Sequence, residues 1–242
     1  MPIIAGSTPA TAIDTTFASG VSLNFFTASS LANKIEAAIT ERTEAILATH
    51  VYGIPCNVEA IEAIAKKYGL KVIYDGAHAF GVMYKGKSLL SYGDIITCSF
   101  HATKLFHTVE GGCIICNDET LANKLLLYRQ FGHIGDKYFS IGINGKNSEF
   151  HAAMGLAVLP KIEEIIFRRK QISELYDSLL NFNEIRTSTI PTDTANNYSY
   201  YPVIFKDEKI VLKVMKALLQ NSVSARRYFY PSLNQLPFIK EY

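Results

Sequence analysis

Four short apolar runs constrain this chain more than any other feature. They are Thr43–Val51 (TEAILATHV), Lys71–Tyr74 (KVIY), Asp94–Phe100 (DIITCSF) and Gly112–Cys116 (GCIIC). None alternates strictly between apolar and polar, so each is expected to be a strand buried on both faces. That is the habit of a mostly parallel sheet covered by helices. Helical signals separate the runs. Asn57 is a side-chain cap for Val58–Tyr68 (VEAIEAIAKKY), which Gly69 closes. Asp118 caps a second helix expected to run to about Phe131 and to end at Gly132. Strand–helix–strand order of this kind predicts an α/β fold. Ligands of such sheets bind at the carboxyl ends of the strands. Asp75, Ser99 and Lys104 fall at or just beyond such ends.

The flanks differ in character. Upstream, a strand is expected near Val21–Phe26 and a short helix over Ala32–Thr40, with Ile35 and Ile39 on one face. Downstream of a Gly/Asn loop (Gly142–Asn147), Ser148-Glu149 opens a helical region reaching about Leu180, which Pro160 divides or kinks. A strand is expected at Tyr198–Phe205, a helix at Glu208–Leu219 and an extended segment at Val223–Phe229. The expectation is a large domain over 1–184 and a smaller α+β domain over 185–242.

Composition excludes several classes of function. Apolar residues make up 48% of the 242, aromatics 12% and charged residues 19%, which suits a packed core rather than a disordered chain. A formal charge of +2 and the lack of a helix-turn-helix signature argue against nucleic-acid binding. No run approaches the roughly 18 apolar residues of a membrane span, and Met1–Ser7 does not resemble a signal peptide. Cys113-Ile-Ile-Cys116 has redox or zinc-like spacing, but in a strand the two thiols point to opposite faces. A reduced, cytoplasmic protein is expected.

Three residues carry the chemistry. Asp75 is either a turn former or a carboxylate holding a partner such as a protonated pyridine nitrogen. Lys104 is either a solvated charge or an amine made nucleophilic by partial desolvation between apolar strands. Ser99 offers a hydroxyl at the same strand end, and Gly111-Gly112 permits close backbone approach. Together they suggest pyridoxal phosphate (PLP), with the lysine for its aldehyde, the carboxylate for its ring nitrogen and the hydroxyl for its phosphate.

Other candidates keep two readings each. His101 and His107 either pack beside the cofactor or orient substrate. His50-Val51-Tyr52-Gly53 is an ordinary turn or part of the site's mouth. His133 is explained by a helix end alone. Arg168-Arg169-Lys170 suits a solvated face. Tyr228 suits the core, and Arg226-Arg227 stays ambiguous.

The motifs YDGAHAFG, GDIITCSFHATKLFHTVEGG and GINGKNSEFHAAMGL, in that order, resemble the DegT/DnrJ-type nucleotide-sugar aminotransferases. The tail SARRYFYPSLNQLP fits the same family. The resemblance implies a PLP enzyme of the aspartate aminotransferase fold (PLP fold type I): a mostly parallel α/β large domain with a smaller α+β C-terminal domain. It implies that Lys104 bonds the cofactor and that Asp75 holds its ring nitrogen protonated. His78 takes the place beside the ring, and Ser99 binds the phosphate. Asn144 would reach the phosphate of a neighbouring subunit's cofactor, which implies a homodimer with shared active sites. His107 and Tyr228 would approach the sugar.

The SFHATK form is similar to members that use glutamate to aminate carbon 4 of a 4-keto-6-deoxy sugar nucleotide in cell-envelope polysaccharide synthesis, O-antigen included. Action on a 3-keto sugar nucleotide, and a catalytically silent binding module, are the alternatives. The family's S-G-T-type phosphate turn has no equivalent in Met1–Thr43, Leu23–Thr27 lacks its acidic pattern, and its final helices would lie beyond Tyr242. The chain is therefore expected to be part of a longer one.

Overall fold

The computed structural model describes residues 34–228, 230–231 and 235–238. The strand expected near Val21–Phe26 lies outside them. A helical segment at 34–38 is followed by β1 (Ala45–Thr49), α1 (Val58–Tyr68), β2 (Lys71–Asp75), the short β3 (Met83–Tyr84) and β4 (Lys87–Ser88), β5 (Ile95–Ser99) and β6 (Gly112–Cys116). The central sheet has the order β1-β2-β5-β6. β1, β2 and β5 are parallel, and β6 closes the edge antiparallel to β5.

Local chemistry explains α1. Asn57 Oδ1 accepts the Ala60 N–H at 3.1 Å, and Gly69, at φ 67°, lets the last turn close onto the Ala65 carbonyl. Val58, Ile61, Ile64 and Ala65 then face Ile46, Val72, Tyr74 and Ile96 in one buried cluster, against which Ile35 and Ile39 pack.

The sheet corrects one expectation. Its strands are not buried on both faces. Positions alternate between buried and half-buried in β2 and β5, all five residues of β6 are half-buried, and Leu47 on β1 is 53% exposed. Among the described residues β1 and β6 are the outer strands, each paired with a described strand on one side only. The register sets Cys98 opposite Cys113, and all four cysteines are free thiols.

Beyond the sheet, α2 (Glu119–Arg129) ends two residues earlier than expected, because Phe131 and Gly132 both take positive φ. β7 (His133–Ile134) and β8 (Lys137–Tyr138) form a hairpin. Ser148 opens α3 (Glu149–Val158) with a reciprocal cap to His151. Pro160 sits in a 3-10 turn, Leu159–Lys161, that separates α3 from α4 (Ile162–Leu179), as its ring requires.

The C-terminal part holds β9 (Ile185–Thr187), β10 (Thr194–Ala195), β11 (Val203–Phe205) and α5 (Glu208–Gln220). β9 pairs antiparallel with β11, whereas β10 pairs with β3. Chain beyond residue 185 thus returns to the first part before leaving it again. The strand expected over Tyr198–Phe205 is only its last three residues, since Tyr198 has φ 52° and Pro202 has no N–H to give a ladder. Residues 223–227 form no strand. Among the described residues no helix is long and apolar enough to cross a membrane, and no cluster of three or more His, Cys, Asp or Glu could hold a metal ion.

Candidate active site

Two neighbouring parallel strands end at the site. β2 terminates in Asp75, paired in register with Thr97, and β5 terminates two residues later in Ser99. Asp75 is half-buried, and its Oδ1 accepts the Ala77 N–H at 2.9 Å. Ser99 Oγ accepts the His101 N–H at 3.4 Å. The chain then turns through 101–104, where the Lys104 N–H reaches the His101 carbonyl at 2.9 Å. Lys104 is half-buried in a cleft lined by His78, Phe80, Leu105, Asn197 and Tyr200.

His78 is the most tightly held of these. Its Nδ1 accepts the Tyr52 backbone N–H at 2.9 Å, and its ring lies 4.5 Å from that of Tyr200. Burial lowers its pKa from 6.5 to about 4. The Lys104 ammonium pushes the same way, and the Asp75 carboxylate opposes it. His78 is therefore within electrostatic reach of both Lys104 and Asp75.

The remaining predicted residues are less central. His107 accepts the Val109 N–H through Nδ1 at 3.4 Å and is absent from the cleft wall. Tyr228 is half-buried and packs edge-on against Tyr52 and Tyr200, with the Arg226 guanidinium 4.7 Å from its ring centre. Asn144 is exposed on the loop after the β7–β8 hairpin, bridged to Gln130, with its Oδ1 accepting from Lys146. It does not line the cleft.

Three contributors, Asn197, Arg169 and Tyr200, escaped sequence reasoning, and a fourth, Tyr52, lies in the turn that the sequence leaves between two readings. Asn197 is fully buried. Its Nδ2 donates to the carbonyls of His78 at 2.9 Å and Phe80 at 2.8 Å, and its Oδ1 accepts the Ser199 N–H at 3.0 Å. Arg169, expected on a solvated face, donates to the Ser199 carbonyl at 3.0 Å and so ties α4 to the cleft segment. Tyr52 and Tyr200 complete the aromatic wall, and burial raises both phenol pKa values. The run Asn196-Asn197-Tyr198-Ser199-Tyr200 holds two of them, and the partner of Asn197 at His78 lies 119 residues upstream.

His50 proves to be a support. It is fully buried, stacked on Tyr74 at 4.4 Å, and its Nδ1 accepts the Cys56 N–H at 3.1 Å. Nε2 is buried with no partner, and burial lowers the imidazole pKa to about 4.

A model of the DegT/DnrJ/EryC1/StrS aminotransferase family matches residues 25–242. The chain belongs to this family. It is 41% identical over 202 residues to a dTDP-4-amino-4,6-dideoxy-D-glucose transaminase of Shigella dysenteriae, covering 82% of this chain and 55% of that one. It is 40% identical over 215 residues to the Escherichia coli protein of the same name, covering 86% and 57%. The solved structure of DesI in the presence of its TDP-sugar product superposes with a TM-score of 0.79 at 31% identity, covering 87% of this chain and 55% of that one. The fold is the α/β fold expected from sequence, that of PLP fold type I. The chain spans just over half the length of the relatives it matches.

Proposed function

We propose that this chain carries the catalytic lysine and the amino-transfer chemistry of a PLP-dependent aminotransferase. The enzyme would move an amino group from glutamate to carbon 4 of a 4-keto-6-deoxy sugar nucleotide, as in the dTDP-4-amino-4,6-dideoxyglucose type. The observation that carries this reading is the convergence of Lys104, Asp75 and His78 at the carboxyl ends of two adjacent parallel strands. The donor set fits PLP: a half-buried primary amine, a half-buried carboxylate, a flat uncharged imidazole and a strand-end hydroxyl at Ser99.

When bound, PLP supplies an aldehyde that receives the amino group and a ring that withdraws electrons from the reacting carbon. Lys104 Nζ would hold that aldehyde, and as a free amine it would take the proton from the amino-acid α-carbon and return it as general acid. Asp75 would hold the proton at the cofactor ring nitrogen. Ser99 Oγ would bind the phosphate, His78 would lie beside the ring, and His107 and Tyr228 would serve the sugar side.

We assign Asn144 to the cofactor phosphate of a second copy. Large apolar side chains in the chain segments on either side of its loop are exposed: Ile134 is 66% exposed, Tyr138 78%, Ile141 79%, Phe150 88% and Leu156 72%. Apolar exposure of this kind supports association with a second copy, as a homodimer with shared sites. We retain 1–184 as a partial PLP-binding large domain and 185–242 as a partial small domain. We place the chemistry in the cytoplasm, where the thiols stay reduced, and its amino-sugar product in O-antigen-type polysaccharide synthesis.

Cofactor trapping tests the proposal. The purified chain is incubated with PLP, reduced with borohydride and mapped by mass spectrometry. A label on Lys104 that glutamate removes before reduction is the expected result. A folded chain that acquires no label at Lys104 overturns it.

A further inference from the structure

His78 meets a fixed donor. The Tyr52 amide can only donate, and it lies 2.9 Å from His78 Nδ1. An imidazole nitrogen that accepts a hydrogen bond carries no proton, so the ring proton must sit on Nε2. A protonated Nδ1 would set two N–H groups against each other at that distance.

The geometry that aims this amide is specific. Tyr52 has φ 59°, an uncommon left-handed conformation for a residue with a side chain, and Gly53 follows at φ 80°. Three contacts hold the turn: Gly53 N–H to the His50 carbonyl at 3.0 Å, Ile54 N–H to the Val51 carbonyl at 3.0 Å, and Cys56 N–H to His50 Nδ1 at 3.1 Å. Gly53 also lets the turn press against His78, since a Cβ there would lie 2.7 Å from the His78 carbonyl oxygen. Asn197 Nδ2 donates to that same carbonyl at 2.9 Å. His78 is thus clamped at its ring nitrogen by one segment and at its backbone by another.

We propose that the backbone amide of Tyr52 is a positioning group that locks His78 as the neutral Nε2–H tautomer beside Lys104, so that the ring meets the cofactor as an uncharged plate with one donor. This deepens the proposed function and rests on it for the identity of the cleft's occupant; the tautomer itself belongs to the free chain. The titratable groups facing His78 are Tyr52, Tyr200, Lys104 and Asp75. Burial and the Lys104 charge both disfavour a second proton, and only Asp75 favours one. A neutral ring adds no cation of its own to compete for Asp75 with the one that the cofactor ring would present.

The test is made on the full chain without cofactor, labelled with ¹⁵N, with His78 resonances assigned by their loss in His78→Gln. The expected result is a through-hydrogen-bond ¹⁵N–¹⁵N coupling between the Tyr52 amide and His78 Nδ1. Nδ1 should show the shift of an unprotonated ring nitrogen, and the ring should titrate near 4 rather than near the 6.5 of a free imidazole. Tyr52→Gly tolerates the positive φ and keeps the amide, so the tautomer should survive in it. A proton on Nδ1, a missing coupling in the folded chain, titration near 6.5, or loss of the tautomer in Tyr52→Gly would each overturn the proposal. Failure of PLP trapping with the coupling intact would instead refute the proposed function alone.

Discussion

Replacing Asn197 should damage the protein far more than an ordinary polar-to-alanine change. The side chain is fully buried and makes three hydrogen bonds, two donated to the carbonyls of His78 and Phe80 and one accepted from Ser199. At about 1 kcal/mol net for each, Asn197→Ala loses about 3 kcal/mol, with a further penalty for the buried carbonyls left unpaired. For a chain of this size each kcal/mol moves Tm by roughly 2–4 °C, so the expected drop is about 6–12 °C. Asn197→Asp serves as a chemical control. Its carboxylate can still accept from Ser199 but can donate to neither carbonyl, and it adds a buried charge, so it should melt at least as early. Scanning fluorimetry of the full chain provides the measurement. An Asn197→Ala variant that melts within about 2 °C of the parent would mean that the bonds to His78 and Phe80 contribute almost nothing, and the clamp argument would fail.

Three other outcomes follow from the same geometry. Gly53→Ala puts a Cβ 2.7 Å from the His78 carbonyl at φ 80°, so it should cost on the order of 2 kcal/mol or more in a urea melt, and a neutral result would contradict the close approach. His50 has a folded pKa near 4 against about 6.5 unfolded. The unfolded state therefore binds the extra proton first, and the stability from a neutral His50 is complete above about pH 6.5 and falls as pH drops toward 4, by on the order of 3 kcal/mol. Tm measured from pH 7 to 4.5 should show this slope, and His50→Gln should reduce it to the part that His78, also lowered to about 4, contributes; equal slopes would count against the assignment. Phe150→Asp, at an apolar side chain that is 88% exposed, should shift the chain to a monomer in light scattering, and an unchanged oligomer would remove Phe150 from the interface.

Much of the fold was legible because its signals are local. Asn57 and Gly69 bracket α1, Ser148 opens α3, and Pro160 interrupts the helical region after it, each through the chemistry of one or two residues. The errors arose where burial depends on neighbours. Apolar β6 was expected to be covered on both faces, but among the described residues it is an outer, antiparallel strand and is half-buried throughout. Tyr198–Pro202 has the composition of a strand, yet a positive φ and a missing N–H take it out of any ladder.

The candidate site divides in the same way. Sequence alone located its candidate residues, because Asp75 and Ser99 end strands that can be placed by pattern, Lys104 lies five positions beyond Ser99, and the motifs around them resemble one family. Only the tertiary structure decided how that chemistry is held. Asn197 reaches His78 across 119 positions, Tyr52 across 26, and Arg169 reaches Ser199 across 30. A buried hydrogen bond depends on where two chain segments meet in space. No periodicity or spacing along the sequence records that meeting.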